Sequence, residues 1–471
     1  MEKWVVTAKK ADFQGIGRKY GIDPVIARII RNRDITGDEA IEEYLNGTLA
    51  DIPSWKLLKD IDKAVEIISG KIDAGTKMRI IGDYDIDGVT ATYILLKGFK
   101  RLGANVDTYI PDRVADGYGI HDHLIKKAME DGIDTIVTCD NGISASSQIT
   151  YAKELGMTVV VTDHHEVPFT DNEEGRTYIL PPADAIINPK QADCTYPNKN
   201  ICGAVVAMKL VFALYEKYRL PEEEKEDFLE PAAIATVGDI MDLQGENRIL
   251  VKEGLARLPF TKNKGLKALI RAIGLEDQKI TSYDIGFRLG PCINASGRLD
   301  TAMRSLALLQ SEDEEEAAKL AGDLKALNDS RKALTEKGTE EAYKLIESSD
   351  LKNDRVMVVF LPECHESLAG IIAGRIREKY HKPTFVLTRG EKSLKGSGRS
   401  TENYSMYEEL VKCDSLLVQY GGHPMAAGLS IEEENVEKFR QTLNDNCTLT
   451  EEDMIPKIVI DVPIPILTKN W

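Results

Sequence analysis

The chain has 471 residues, 42% hydrophobic and 29% charged, which suits a soluble globular protein of two or three domains with proper cores. A net charge of −17 excludes a surface coated in basic residues, so any nucleic acid must be met in a local groove, with metal ions offsetting clustered carboxylates. No run approaches the roughly 18 apolar residues of a membrane span, and the start, MEKWVVTAKKADFQ, lacks the apolar centre of a signal peptide, so a cytoplasmic setting is expected. Cys139, Cys194, Cys202, Cys292, Cys364, Cys413 and Cys447 form no CxxC pair, which argues against a zinc ribbon or disulfide framework and fits a reducing compartment.

Residues 1–76 read as polar and helical, with Ile26, Ile29 and Ile30, then Ile41 and Tyr44, at helical spacing. They are expected to form an N-terminal helical segment packed on the core. From Met78 to Pro189 the strands MRIIGD, NVDTYIP, TIVTCD, MTVVVTD and DAIINP alternate with helical patterns that each end at a glycine. This rhythm predicts an α/β fold with a mostly parallel, doubly wound sheet covered on both faces, within a core domain spanning 77–300. A helical stretch follows, then IGFRLGPCINASGRLD, which reads as a structured glycine-rich loop. Residues 301–349 read as one long helical connector, with Glu312 to Glu316 as a solvated face. A second, smaller α/β domain is expected over 350–445, and 446–471 begins like a new strand.

The chemistry gathers at strand ends. Asp83, Asp85 and Asp87 follow the first sheet strand, Asp140 follows the strand ending at Cys139, and Asp163, His164 and His165 follow the strand ending at Thr162. Carboxylates at i, i+2 and i+4 repel one another, so two readings stand for the first group alone: a solvated acidic turn or a cation site. In a doubly wound sheet these ends converge on one crevice, which favours the cation site. Oxygen-rich ligands with one or two imidazoles suit manganese or magnesium better than structural zinc. Two such ions about 3.5–4 Å apart suit phosphoester hydrolysis. Asp239, in PAAIATVGDIMDL, is either a surface aspartate at a helix end or a ligand from outside the sheet.

GDYDIDG, TCDNG, TDHHEVP and ATVGDIMDL resemble, in order and spacing, the four motifs of the DHH phosphoesterase superfamily. Within it the chain resembles RecJ-type single-strand-specific exonucleases, through YIPDRVADGYGI, GPCINASGRL, AGIIAGRIREKYHKPTFVL, GSGRS and GGHPMAAGLSI. The resemblance implies a catalytic DHH domain and a DHH-associated domain that binds substrate. It implies one Mn2+ or Mg2+ ion held by Asp87, Asp140, His164 and Asp239, and a second held by Asp83, Asp85 and the shared Asp140. Asp163 and His165 are then catalytic neighbours that orient ligands or contact phosphate. Some family members carry a histidine where this chain has Ile81, which bears on the second ion. For nucleic acid the resemblance implies phosphate clamps at Arg298, Arg375 and Arg399, with Asn294, Ser397 and His423 beside them. Tyr118 is placed either to stack on a base or to anchor a turn.

The implied activity is 5′-to-3′ hydrolysis of single-stranded DNA to 5′-mononucleotides in repair and recombination. The implied protein is a monomer, recruited by a single-strand-binding protein or a helicase. Two rival expectations are a phosphodiesterase on short oligoribonucleotides or cyclic dinucleotides, and a non-catalytic replication scaffold. RecJ-type chains commonly continue into an OB fold, so 446–471 is expected to be the start of a truncated or missing one.

Overall fold

The structure is a computed structural model, and it describes residues 2–172 and 175–463. The chain divides into two units. One runs from Glu42 to Asp329; the other combines the residues up to Ile41 with those from Ser330 on.

The Glu42–Asp329 unit is built on five parallel strands in the spatial order Val106–Tyr109, Met78–Ile81, Thr135–Cys139, Thr158–Thr162 and Ala185–Ile187. β-Branched residues dominate the central strands, and alternate side chains enter different cores. Ile80, Val137 and Val160 lie in the cluster formed with the helices Ile86–Arg101 and Gly203–Lys217, whereas Ile81, Ile136, Val159 and Val161 lie in the cluster under Asp122–Glu130 and Ser146–Glu154. Burial on both faces is why the central strand sequences are mostly apolar rather than alternating. The helix Ile61–Asp73 adds Ile61, Ala64, Val65, Ile68 and Ile72 to the first cluster, a helical spacing that gives it one buried stripe. A hairpin, Phe169–Asn172 with Gly175–Tyr178, interrupts the path to the last strand.

Three expectations are corrected. IGFRLGPCINASGRLD is not a loop: a π-turn at Ile285–Leu289 leads into the helix Gly290–Leu299. Gly297 serves close approach instead of turning. A Cβ on Gly297 would lie 2.2 Å from the Tyr84 carbonyl oxygen. Residues 301–349 are not one helix either. Met303–Gln310 stops at an extended Ser311, and Glu314–Glu347 starts anew. Asp313 caps that start by accepting from the Glu316 amide (2.8 Å), so Glu314 to Glu316 occupy a first turn where the helix dipole favours negative charge. Finally, residues 1–76 are split between the units and begin as a strand. Lys3–Val6 pairs in parallel with Lys457–Ile460.

The second unit carries a mixed five-stranded sheet in the order Leu417–His423, Ala426–Ile431, Leu394–Arg399, Thr384–Arg389 and Met357–Phe360. The last two strands are parallel and joined by the helix Glu366–Tyr380; the other pairs are antiparallel. The helix Val436–Asp445 sets Phe439 edge-on to Phe385, with ring centroids 5.5 Å apart. Of the segment 446–471, the strand Lys457–Ile460 is described, and 464–471 lie outside the described residues. Among the described residues no helix is long and apolar enough to cross a membrane.

Candidate metal centre

From the Met78 strand the chain crosses to one side to make Val106–Tyr109, then to the other to make Thr135–Cys139. The strand order reverses there, which opens a crevice beyond the carboxyl ends. The sequence puts its acidic clusters at this point.

Asp85 caps the helix Ile86–Arg101 through its Oδ1, which accepts from the amides of Asp87 (2.9 Å) and Gly88 (3.0 Å). Asp87, in the first turn of that helix, is fully buried, and its two oxygens accept from the Gly203 (2.6 Å) and Ala204 (2.8 Å) amides that open the helix Gly203–Lys217. One carboxylate thus sits between two helix N-termini, where partial positive charge offsets its burial. Asp140 takes a left-handed backbone (φ 59°), which aspartate tolerates better than most residues. Asn141 donates to the Ile81 (3.1 Å) and Cys139 (3.0 Å) carbonyls and so ties two strand ends together behind it. Asp163 accepts from the amides of Ile143 (2.9 Å), His164 (2.7 Å) and His165 (3.1 Å), and lies 2.8 Å from His165 Nδ1. Asp239 ends the helix Leu229–Gly238.

These elements bring His164 Nε2 to 3.0 Å from Asp140, 3.5 Å from Asp87 and 3.6 Å from Asp239. Among the described residues three groups hold their ligand atoms within 4.8 Å of one another: Asp87 with His164 and Asp239, Asp83 with Asp85 and Asp140, and Asp140 with His164 and His165. Asp140 is common to two of them. One oxygen each of Asp83, Asp140 and Asp239 is buried with no hydrogen-bond partner. Burial raises the carboxyl pKa values of Asp83, Asp85, Asp140 and Asp239, and their neighbours add to it. Asp83 is pushed further by Asp85, Asp85 by Asp87, and Asp140 by Asp87, Asp85 and Asp83. Asp239 is pushed up to about 8 by burial and then by Asp87 and Asp85. Unpartnered oxygens on carboxyl groups that disfavour one another's charge are what a divalent cation resolves, so the residues fit the expected ions. Burial works against a charged His165, but Asp163, with Asp87 and Asp239, outweighs it and pushes the imidazole up to about 9. Burial lowers His164, leaving it the neutral form that a metal ligand requires. Ile81, at the position where relatives can carry histidine, is fully buried in its strand.

The other expected site residues are placed as follows. Tyr118 has a half-exposed ring edge-on to Tyr84 and His165, while its hydroxyl donates to the Asp140 carbonyl (3.2 Å). Asn294 accepts from the Ile86 amide (2.8 Å), so its side chain braces the aspartate loop. Arg298 follows one turn later on the same helix. In the second unit Ser397 and Arg399 lie two apart on one strand, on one face. Arg399 and His423 both register with Ala426, which aligns them across three neighbouring strands. A Cβ on Gly370 would lie 2.8 Å from both the Arg399 guanidinium and the Ser397 hydroxyl. Arg375 is exposed on the helix Glu366–Tyr380. The roles of Asn141, Gly203 and Ala204 escaped the sequence reading. Asn141 stands inside TCDNG, but the amides that hold Asp87 belong to an apolar run with no polar signal.

The model of the DHH family, N-terminal domain, matches residues 77–236, and that of the DHHA1 domain matches 353–448. The chain is 36% identical over 465 residues to the single-stranded-DNA-specific exonuclease RecJ of Bacillus subtilis, covering 98% of this chain and 57% of that protein. It is also 36% identical to the Salmonella typhimurium RecJ, covering 91% of this chain and 75% of that one. It thus spans little more than half of the Bacillus relative. The crystal structure of Thermus thermophilus RecJ in complex with Mn2+ aligns with a TM-score of 0.81 at 30% identity, over 98% of this chain and 65% of that one. With its two matched domains and this likeness along nearly its whole length, the chain belongs to the DHH family and, within it, to the RecJ-type proteins.

Proposed function

We propose that this chain is an exonuclease that hydrolyses single-stranded DNA from its 5′ end to 5′-mononucleotides, using Mn2+ or Mg2+. The observation that carries the reading is the meeting of three acidic and imidazole groups at one strand switch point, with Asp140 common to two of them. The Mn2+ held by the Thermus relative supports the choice of ion.

Asp87, Asp140, His164 and Asp239 would hold one ion; Asp83, Asp85 and Asp140 would hold the other. Bound there, divalent ions supply positive charge for the phosphate oxygens and make water nucleophilic near neutral pH. The chain's own residues do the rest. Helix-terminal amides keep Asp85 and Asp87 in place. Asp163 holds the loop and, 2.8 Å from His165 Nδ1, orients the imidazole so that its exposed edge contacts a phosphate oxygen. Tyr118 offers a ring face to a base, a contact indifferent to sequence. Ser397, Arg399 and His423 take the terminal phosphate, and Arg298 and Arg375 take neighbouring backbone phosphates. Water attacks phosphorus and the 3′-oxygen of the released nucleotide leaves, so the shortened strand keeps a 5′-phosphate. A monomer in the cytoplasm, recruited by a single-strand-binding protein or a helicase, completes the reading.

The test incubates the chain with long single-stranded DNA labelled at either end, and with RNA of two to about five nucleotides, in Mn2+ and in Mg2+. Early release of the 5′ label from DNA is expected. Preferential turnover of the short RNA assigns the site to the oligoribonucleotide rival instead.

A further inference from the structure

Directly after Asp239 stands Ile240, with φ at +56° and the residue 88% exposed. Its amide donates to the Val237 carbonyl (3.2 Å), and the Met241 amide to the Thr236 carbonyl (3.0 Å). These two bonds are the Schellman ending of the helix Leu229–Gly238, with Ile240 at the left-handed position that glycine, or sometimes asparagine, ordinarily fills. Six other non-glycine residues among those described have positive φ: four aspartates, one arginine and one histidine. Ile240 is the β-branched one, and for such a side chain this conformation is a steric outlier.

A lone exposed isoleucine needs no explanation by itself, because soluble proteins carry many. Here the exposure removes the usual compensation. A side chain that remains almost wholly in water gains little from packing, yet its branch at Cβ strains the turn. Strain without compensation in the folded protein points to a use outside it, and the residue is bonded in sequence to a member of the candidate metal centre. The helix end is itself tightly set: a Cβ on Gly238 would lie 2.6 Å from Ile86, within the helix that Asp85 caps. The position of Ile240 therefore follows from the same packing that delivers Asp239.

We infer that Ile240 is a substrate-contact residue, whose apolar side chain bears on the sugar and base face of the nucleotide whose phosphate reaches the aspartates. This rests on the exonuclease reading for the identity of the ligand. An apolar contact reads no base edge, which suits a strand degraded without regard to sequence.

The test uses the full chain with Ile240→Gly and Ile240→Asn, both compatible with the left-handed turn. Three quantities are measured: the melting temperature, the Kd for a short fluorescent oligo-dT in Ca2+, and the Mn2+ concentration giving half-maximal cleavage. Both variants are expected to melt higher than wild type, by about 2 °C. Both are expected to bind the oligonucleotide about tenfold more weakly, the scale of one apolar side chain withdrawn from contact. Half-maximal Mn2+ is expected to stay within about twofold, because no ligand changes. Unchanged oligonucleotide affinity in both variants overturns the inference, and so does a rise in half-maximal Mn2+ in step with Kd, which would make Ile240 a support for Asp239. If wild type binds the strand but does not shorten it, the exonuclease reading fails, while tenfold weaker binding by the variants still upholds the contact.

Discussion

At the carboxyl ends of the parallel sheet, Asp83, Asp87 and Asp140 are buried among other carboxyl groups. On the mixed sheet of the second unit, the charge that aligns with the sheet edge is a half-buried arginine, Arg399, with Ser397 and His423 on neighbouring positions. The two sheets have equal numbers of strands, yet one gathers negative charge and the other gathers donors. The difference lies in what offsets each. Helix-terminal amides hold Asp85 and Asp87, while one oxygen each of Asp83, Asp140 and Asp239 has no hydrogen-bond partner. On the mixed sheet, Gly370 leaves room beside Arg399 and Ser397. The first arrangement asks for cations.

Perturbing each side should therefore cost different things. The largest effect is expected from Asp140→Ala, which removes the carboxylate common to two groups. Cleavage of single-stranded DNA in Mn2+ should fall on the order of 10^4-fold, as when a member of a cooperating catalytic set is lost. Turnover within a few-fold of wild type would mean that the cluster is not the catalytic centre. Asp163→Asn should cost less, about 10–100-fold, because it orients His165 and the loop without itself lying in the three groups. Part of that loss should be recovered at high Mn2+, and a loss untouched by Mn2+ would give Asp163 a different role.

On the other sheet, Arg399→Ala and Gly370→Ala should each raise the KM for a 5′-phosphorylated strand about tenfold while leaving half-maximal Mn2+ unchanged. The alanine at position 370 acts by pushing its Cβ against the guanidinium and hydroxyl. Removing the 5′-phosphate from the substrate should abolish most of the difference from wild type. If the variants remain weaker on both substrates alike, these residues contact something other than the terminal phosphate. The smallest effect is expected from Asn294→Ala, which leaves the Ile86 amide without its acceptor. Urea denaturation should show a loss of about 1–2 kcal/mol. Cleavage should fall only a few-fold, which sets apart a brace for the aspartate loop from a DNA contact.

Legibility also differed between the sheets. MRII, TIVTC and TVVVT could be read as strands because burial on both faces makes them mostly apolar and β-branched, and their carboxyl ends carried the acidic clusters in plain sequence. What stayed hidden depends on contacts distant in sequence. Lys3–Val6 pairs with Lys457–Ile460, a partner some 450 residues away that leaves no local trace. NASGR looked like a loop because glycine suggests turns, whereas Gly297 is there so that a helix can approach the Tyr84 carbonyl. The amides of Gly203 and Ala204 that hold Asp87 are backbone groups, which no side-chain pattern announces.

Buried carboxyl groups at one strand switch point are proposed to form a single site for two cations, linked through Asp140. Anomalous diffraction from crystals grown with Mn2+ tests it most directly, on wild type and Asp140→Ala side by side. The expected result is two manganese peaks in wild type, one against Asp87, His164 and Asp239 and one against Asp83 and Asp85, with Asp140 touching both, and weak or missing peaks in the variant. Manganese absent from these residues, or two full peaks that survive the loss of Asp140, would contradict the account.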